Sequence, residues 1–361
     1  MTPLPRRRKK RSLAVRLARG LYATAMVLSA IIVGLYIAYK IVAQRPDVGE
    51  VPSWAGAPVY TDNPDTDEDE SLGPQRKEDT WTFLLAAEDQ VSGSTDTIMV
   101  CTYDTKNQEV GLVSIPRDTL VDRRVGPYHY HKLNAAYANG KAASSTREGG
   151  IEELVGAVSE TLGIPIDHYV LIDTRIFVEL VDTVGGVDFN VPVYMNYDAP
   201  DQDLHIHFQP GLQHLTGQQA LEVVRCRKNS DGPGEYPNNI YDAYPDADIG
   251  RTRTQQQMVK TIAKKVLSNP QKINSYAEIF SQRVHTDLSL NNLLWFAQPA
   301  LGFDMDDLVT ATLPGSGNAR KDKVTGLWQL DIEGSLEILN DCVNPYTTPI
   351  TENMVRMVRG D

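Results

Sequence analysis

Residues 81–116 read WTFLLAAEDQVSGSTDTIMVCTYDTKNQEVGLVSIP and hold three short apolar runs in close succession. The runs are WTFLLAA, DTIMVCTYD and QEVGLVSIP, and the last two are separated by the polar, turn-like segment 104–107. Apolar runs of this length, bounded by polar residues, are typical of strands buried inside a sheet. The stretch therefore predicts three neighbouring strands at the start of a folded domain.

Helical and strand patterns alternate after these strands. HYVLID at 168–173 predicts a strand, and the strict apolar alternation over 187–193 predicts another that is buried on one face. Thr216 and Gln219 form a capping-box pattern that begins a helix. Apolar residues at helical spacing predict further helices over 151–162, 176–184, 258–267 and 290–301, the third of them after the segment 248–251. We therefore expect an α/β fold, with a mixed central β-sheet flanked by helices on both faces.

The first 43 residues contain nine Lys and Arg and no Asp or Glu, and Leu21–Ala38 contains no charged residue. With its flanks, this run approaches the ~20 residues of a bilayer-spanning helix. A cleaved signal peptide would have a shorter apolar region that ends in small residues, whereas this run leads into Tyr36, Tyr39 and Lys40. The sequence predicts a cytoplasmic basic tail (1–20) and one transmembrane helix (21–43), because positive flanks stay inside. The protein is expected in the cell membrane as a single-pass protein, with its large folded domain extracytoplasmic.

The segment 44–78 is rich in Pro, Gly, Asp and Glu, with TDNPDTDEDE at its centre. Such a composition cannot bury enough apolar area to form a core, so it predicts an acidic extracytoplasmic linker. We expect a folded domain over 79–345 and a C-terminal tail over 346–361.

Charge argues against nucleic acid as a partner. The chain carries a net charge of −12, and its positive N-terminus makes the remainder more acidic still. Binding to a phosphate backbone needs a basic surface on the globular part. The three cysteines, Cys101, Cys226 and Cys342, form no CxxC pair and no metal-ligand spacing, which favours buried apolar thiols.

Charged residues are placed where strands end or helices begin. Carboxylates suit Mg²⁺, and the arginine fork suits phosphate because it donates two parallel hydrogen bonds. For any single charged residue of this kind, a solvated surface charge or a structural ion pair is the simpler interpretation. The segments are Glu88-Asp89 with Asp96, Arg117-Asp118, Arg225 with Arg227, and Asp248 with Arg251 and Gln255.

At these residues the chain resembles the LytR–CpsA–Psr family of envelope glycopolymer transferases. The matching strings, in the family's order, are STDTIMVCTYD, VGLVSIPRDT, HKLNAAYANG, IDHYVLID, VGGVDFNVP, GLQHLTGQQALEVVRCR and DIGRTRTQQQ. They span about Trp81 to Leu267. The resemblance implies transfer of a teichoic acid or capsular glycopolymer from an undecaprenyl-pyrophosphate carrier to a peptidoglycan sugar hydroxyl.

The resemblance also implies roles for individual residues. Asp89 and Asp96 match the family's magnesium-coordinating acids, so Mg²⁺ is the expected cofactor. The pyrophosphate-binding arginines match Arg117, Arg225, Arg227 and Arg251, while Asp248 precedes the Gly-Arg pair and Gln255 follows it. Lys132 and Asn134 are expected to line the same pocket.

The implied chemistry is a phosphoryl transfer in which arginines and Mg²⁺ neutralise charge on phosphate oxygens. Either Asp248 or Asp96 is expected to remove the hydroxyl proton. Helices 151–162 and 176–184 are candidates for an apolar groove for the polyprenyl chain, with core packing as the alternative for both.

Two features depart from the family pattern. Thr254 stands where the family usually has Arg, and the adjacent Arg253 is rotated by about 100° on a helix. The segment 228–247 is longer than expected and has the composition of a loop, which predicts a lid, a platform for the acceptor or a surface insertion.

Two other functions use the same residues. A hydrolase would cleave the pyrophosphate link with water, and a non-enzymatic regulator or binding module would only hold the glycopolymer. The acidic outside domain and the short cytoplasmic tail weigh against direct regulation at DNA.

Overall fold

The structure is a computed structural model that describes residues 43–46, 74–89, 93–199, 204–230, 243–246 and 248–361. The predicted basic tail (1–20), the transmembrane helix (21–43, apart from Ala43) and most of the linker (44–78) lie outside these residues. Among the residues that are described, no helix has both the length and the apolar character needed to cross a bilayer.

A six-stranded mixed sheet forms the centre of the domain, in the order β11-β6-β1-β2-β3-β12. The three predicted strands pair antiparallel as β1-β2-β3, whereas β6 joins β1 in parallel and β12 joins β3 in parallel. Four two-stranded pairs, β4-β5, β7-β10, β8-β9 and β13-β14, complete the strands that the structure describes. The strands are β1 Thr80–Glu88, β2 Thr95–Asp104, β3 Glu109–Ser114, β4 Leu120–Val125, β5 Tyr128–Lys132, β6 His168–Asp173, β7 Val187–Val191, β8 Met195–Ala199, β9 Leu204–Phe208, β10 Gly211–Leu215, β11 His285–Thr286, β12 Val309–Thr312, β13 Gly315–Lys321 and β14 Val324–Leu330.

Helices cover both faces of this sheet, as predicted. They are α1 Ala136–Ser144, α2 Arg147–Leu162, α3 Thr174–Thr183, α4 Gly217–Arg225, α5 Asp248–Leu267, α6 Ile273–Arg283, α7 Leu290–Ala300 and α8 Ile332–Ile338. The capping box at Thr216 is confirmed at the start of α4, and Gly163 ends α2 in the left-handed conformation with φ +67°.

The alternation of side chains along β1 explains why both faces of the central sheet are covered by helices. Leu84 and Ala86 point to one face and join the core formed with α2, whereas Trp81 and Phe83 point to the other and pack against α7. Trp81 is fully buried there, with its ring 5.4 Å from that of Phe296 in an edge-to-face arrangement. A near-continuous apolar run is therefore required, and WTFLLAA supplies it.

The apolar stripe of α2 is core rather than groove. Leu154, Val155, Val158 and Leu162 are each at most 2% exposed. Helix α3 buries Ile176 and Val181 and leaves the intervening positions half-buried. The core-packing interpretation of α2 is therefore correct, and α2 offers no surface to a polyprenyl chain.

The segment 346–361, which we expected as a tail, packs against the domain. Tyr346 and Ile350 are buried, and the Tyr346 hydroxyl donates a hydrogen bond to the Gly163 carbonyl at 3.0 Å. Farther along, the Arg356 amide donates to the Glu160 carbonyl at 2.9 Å.

A second core lies beneath α3, α4 and α5 and the pairs β7-β10 and β8-β9. Ala243 and Tyr244, from the end of the long segment 228–247, belong to it. The middle of that segment, residues 231–242, lies outside the described residues.

Candidate active site

Strand register brings Arg117 to Asp96. In the antiparallel pair β2-β3, Met99 lies opposite Ser114, and continuing this register by three residues places Asp96 across from Arg117. The Arg117 Nη1 donates to Asp96 Oδ1 at 2.5 Å. Asp96 is the second residue of β2 and the first of the predicted run DTIMVCTYD.

Asp248 holds two further arginines at the start of α5. Its Oδ1 lies 3.1 Å from Arg227 Nε, and its Oδ2 accepts a hydrogen bond from Arg251 Nη2 at 2.9 Å. Arg251 follows by three residues on the same helix, where side chains share a face. Its side chain is almost completely buried, whereas that of Arg227 is about half exposed.

These two ion-pair groups influence each other electrostatically. Burial lowers the pKa of Arg251; Asp248 opposes this shift, and Arg117 and Arg227 add to it. Burial also disfavours the charge of Arg117, but Asp96, then Asp248 and Asp118, outweigh it and raise its pKa. We call Asp96, Arg117, Arg227, Asp248 and Arg251 the Arg–Asp cluster. It sets three guanidinium groups against two carboxylates.

The cluster leaves buried donors without acceptors. Within the described residues, the Nε atoms of Arg117 and Arg251 are buried and make no hydrogen bond, and the same is true of Asp248 Oδ1 on the acceptor side. The carboxylate oxygen that lies 3.8 Å from Arg117 Nε belongs to Asp118 and is too distant for a hydrogen bond. Leaving a buried donor unsatisfied costs about 1–3 kcal/mol, so such groups generally have a partner. An anion between the arginines would accept these bonds and neutralise the excess positive charge.

A small pocket opens at the cluster. Asp96, Arg117, Asp248, Arg251 and Gln255 all line it, so the fold brings these five residues together. The Gln255 side chain also donates to the Val224 carbonyl at 3.3 Å, at the end of α4.

Other predicted residues lie beside this pocket without lining it. Lys132 donates through Nζ to Asp118 at 2.9 Å, and the Asn134 amide donates to the Arg117 carbonyl at 2.9 Å. These contacts support the loop that carries Arg117. Arg225 is the last residue of α4, two residues before Arg227.

Asp89 and Asp96 stand at the ends of adjacent strands. Asp89 directly follows β1, and its amide donates to the Ser94 carbonyl at 2.8 Å, just before β2 begins. Asp96 is partly exposed and has one oxygen on Arg117. Two carboxylates beside a pocket lined by arginines fit Mg²⁺, which takes one or two protein carboxylates and completes its shell with water and phosphate oxygens.

Arg253 does not replace the arginine that the family carries at position 254. Its side chain is 50% exposed and pairs with Asp246, with Nη2 3.0 Å from Oδ1. Thr254 is 1% exposed, and its hydroxyl donates to the Gly250 carbonyl at 3.1 Å.

Tyr244 fills the space beside Thr254, a role that sequence reasoning missed. It is 2% exposed and packs so closely on Gly250 that a Cβ there would lie 2.5 Å from the Tyr244 side chain. Burial raises the pKa of Tyr244, and neighbouring Arg251 opposes this rise. The sequence feature that could have indicated a bulky neighbour here is a pair of small residues, Gly250 and Thr254, one helical turn apart.

Comparison with known proteins places this site in a family. A model of the LytR_cpsA_psr family matches residues 56–340. TagV of Bacillus subtilis (strain 168), named a polyisoprenyl-teichoic acid–peptidoglycan teichoic acid transferase, is 32% identical over 228 residues, covering 62% of this chain and 52% of the relative. TagU of Bacillus anthracis (strain CDC 684 / NRRL 3495), which carries the same transferase name, is 31% identical over 251 residues, covering 68% and 71%.

The fold agrees with this relationship. The crystal structure of B. subtilis TagV superposes with a TM-score of 0.58 at 28% identity, covering 73% of this chain and 95% of that one. The sequence alignment spans about half of TagV and about seven tenths of TagU. The chain belongs to the LytR–CpsA–Psr family.

Proposed function

We propose that the protein transfers a glycopolymer from a polyprenyl-pyrophosphate carrier to a peptidoglycan sugar hydroxyl, forming a phosphodiester. The observation that carries this proposal is the Arg–Asp cluster, in which three guanidinium groups surround two carboxylates and two buried Nε donors lack acceptors. The relatives that carry the name of teichoic acid–peptidoglycan transferases support the class of reaction.

The cluster is suited to a pyrophosphate because of its local charge. The chain is acidic overall, with a net charge of −12, so nonspecific attraction of anions is weak. Affinity must come from the cluster itself, where partly buried arginines donate charge-assisted hydrogen bonds. A pyrophosphate spans several donors at once, which favours it over a single phosphate.

In the proposed reaction the acceptor hydroxyl oxygen attacks the phosphorus that bears the glycopolymer. A new P–O bond forms, the bond to the bridging pyrophosphate oxygen breaks, and polyprenyl phosphate leaves. Arg117 and Arg251 stabilise the charge that develops on the phosphate oxygens, and the protein has little covalent work to do. When bound at Asp89 and Asp96, Mg²⁺ would neutralise further phosphate charge.

The hydroxyl proton must pass to a carboxylate. Both oxygens of Asp248 contact arginines, whereas Asp96 has one oxygen on Arg117 and is partly exposed. These contacts favour Asp248 as the group that positions Arg227 and Arg251. They favour Asp96 as the proton acceptor.

The proposed location is the outer side of the cell membrane. It rests on the basic residues of 1–20 followed by the apolar run of 21–43, which together predict a single span with the N-terminus inside. A polyprenyl carrier is itself confined to the membrane, so an anchored domain would meet it there.

A reconstitution tests the proposal. The full chain in detergent is incubated with Mg²⁺, a polyprenyl-pyrophosphate-linked saccharide and peptidoglycan oligosaccharides, and the products are identified by mass spectrometry. We expect the phosphodiester conjugate, its loss in Arg117→Ala, and its retention in Arg253→Ala, which removes a nearby exposed arginine. Free phosphorylated saccharide without conjugate would identify a hydrolase. Binding without turnover would leave a binding module or a regulator.

A further inference from the structure

The β4-β5 hairpin gathers two histidines and an aspartate away from the Arg–Asp cluster. His129 and His131 are two residues apart on β5, so their side chains project from the same face. Asp122 on β4 lies opposite them, with its Oδ1 2.6 Å from His129 Nε2 and 3.6 Å from His131 Nδ1. Among the described residues, this is the group whose ligand atoms converge as a metal site requires.

His131 has an unsatisfied nitrogen that points into this group. The residue is 7% exposed, and its Nδ1 is buried without a hydrogen-bond partner among the described residues. Its Nε2 lies 3.3 Å from Asp322 Oδ2, at the turn of the β13-β14 hairpin. If Nε2 carries the proton toward Asp322, then the lone pair of Nδ1 faces the Asp122 carboxylate. Two hydrogen-bond acceptors, His131 Nδ1 and the Asp122 carboxylate, then face each other, and a cation bound between them would remove the repulsion.

We propose that Asp122, His129 and His131 bind one divalent transition-metal ion, with Zn²⁺ the best match. Asp322 is the outer partner, since a histidine ligand commonly donates its other N–H to a carboxylate that fixes its orientation. Two imidazole nitrogens and one carboxylate oxygen suit Zn²⁺, whereas Mg²⁺ prefers oxygen ligands alone.

The distances are close to those around a single ion. Zn–N and Zn–O bonds of about 2.0–2.2 Å hold tetrahedral ligands roughly 3.3 Å apart. The observed 2.6 Å and 3.6 Å separations from Asp122 bracket this value, so small side-chain rotations complete the site. Asp122 and His129 are partly exposed, which provides an entry path. The Arg124 guanidinium lies 3.4 Å from His129 Nδ1. When His129 binds a metal through Nε2, its Nδ1 carries a proton and cannot accept from Arg124, so this exposed side chain must move away.

The site would join two hairpins next to the loop that carries Arg117. β4 begins three residues after Arg117, and β5 ends at Lys132, which contacts Asp118. Asp322 adopts φ +44° at the turn, a conformation that Asp and Asn tolerate better than most residues. A bound metal would therefore stiffen the support of Arg117 without contacting the substrate.

A second hairpin of this chain provides a matched control. On β8-β9, Asp198 lies 2.8 Å from His205 Nδ1 and 3.3 Å from His207 Nε2, but both histidines are 55% exposed. His207 Nδ1 also contacts Asn196 at 2.6 Å. This pair has the same residue types and spacing without the buried, unsatisfied nitrogen.

The test is a Zn²⁺ titration of the full chain, stripped of metal and kept in excess Mg²⁺, by calorimetry. We expect one high-affinity equivalent that is lost in His129→Ala and in His131→Ala and retained in His205→Ala. Asp322→Asn keeps the turn conformation and should weaken affinity about 10–100-fold. Co²⁺ bound in place of Zn²⁺ should show the visible absorption of a four-coordinate N/O site.

Circular dichroism of each variant separates loss of the site from loss of the fold. Absence of a high-affinity equivalent in the wild-type chain would overturn the proposal, because a protonated His131 bridging Asp122 and Asp322 would then explain the geometry without a metal. Binding that survives in folded His129→Ala and His131→Ala, or that disappears in His205→Ala, would overturn it as well.

Discussion

Two partly buried arginine–carboxylate networks of this domain differ in how well their charges match. In the first, Arg123 lies 2.9 Å from Glu153 and 2.7 Å from Glu160, and Arg356 reaches Glu160 at 3.3 Å. Two cations meet two carboxylates, and Tyr130 also donates to Glu153. This network is balanced.

The Arg–Asp cluster is not balanced. Its three guanidinium groups exceed its two carboxylates, and the neighbouring pair of Asp118 with Lys132 adds one charge of each sign, so the excess of one positive charge remains. The Nε atoms of Arg117 and Arg251 are buried and make no hydrogen bond among the described residues. The pKa directions reflect this difference. Burial opposes the charge of both Arg123 and Arg251, but Glu153 outweighs it and raises the pKa of Arg123, whereas that of Arg251 stays lowered.

The comparison distinguishes a charge-balanced network, which stabilises the fold, from a network with excess positive charge, which can bind an anionic ligand. Buried charges are tolerated when they are paired, so a residual excess in a pocket indicates a missing counter-charge. The largest difference should therefore appear when each network loses its central arginine.

Arg123→Met should cost about 3 kcal/mol of unfolding free energy, because Glu153 and Glu160 lose their main cation in a largely buried setting. Urea denaturation measures this loss, with exposed Arg124→Met as the control expected to change little. The folded fraction should keep its transferase activity. A change below 1 kcal/mol would contradict a structural role for this network.

Arg251→Met should reduce transfer at least about 100-fold, the effect of removing one donor to developing charge. Its stability should change little or rise, because repulsion with Arg117 and Arg227 is relieved. Activity assays and urea denaturation on the same preparation check both expectations. A loss of stability as large as that of Arg123→Met would make the two networks alike.

Thr254→Arg should destabilise the protein by about 1–3 kcal/mol, because the new side chain overpacks the site that Tyr244 occupies. Adding Tyr244→Ala should recover part of that loss, and a double-mutant cycle measures the coupling. Additive effects would mean that Tyr244 does not fill the space of the missing arginine.

Arg253→Ala should cost no more than about 1 kcal/mol, because its ion pair with Asp246 is at the surface. Transfer activity should remain near that of the wild type in the reconstituted assay. A loss of transfer activity as large as that of Arg251→Met would show that the Arg253 side chain turns into the pocket during the reaction.

Sequence patterns predicted the central strands and the main helices because their apolar periodicity is strong. Residues such as Trp81 and Leu84 must be buried on opposite faces, and the sequence displays this directly. Together with the family resemblance, the sequence patterns also indicated which arginines belong to the site. Whether Arg117 meets Asp96 depended on the register of β2 and β3, which no local pattern specifies.

The β4-β5 hairpin was not predicted because its strands are polar. Arg123 and Arg124 stand where apolar residues would mark a strand, and the partial burial of Arg123 depends on Glu153 and Glu160 of α2. The spacing of His129 and His131 was visible in the sequence, but only the fold brings Asp122 and Asp322 to them. The position of Tyr244 likewise depends on how the end of a long loop packs on α5.

Binding of inorganic pyrophosphate and orthophosphate to the full chain, measured by calorimetry in Mg²⁺, tests the unbalanced cluster most directly. We predict preference for pyrophosphate, at least a tenfold weakening in Arg251→Met and Arg117→Ala, and unchanged affinity in Arg253→Ala. Equal affinity for pyrophosphate in all of these variants would contradict the assignment of the Arg–Asp cluster as the pyrophosphate site.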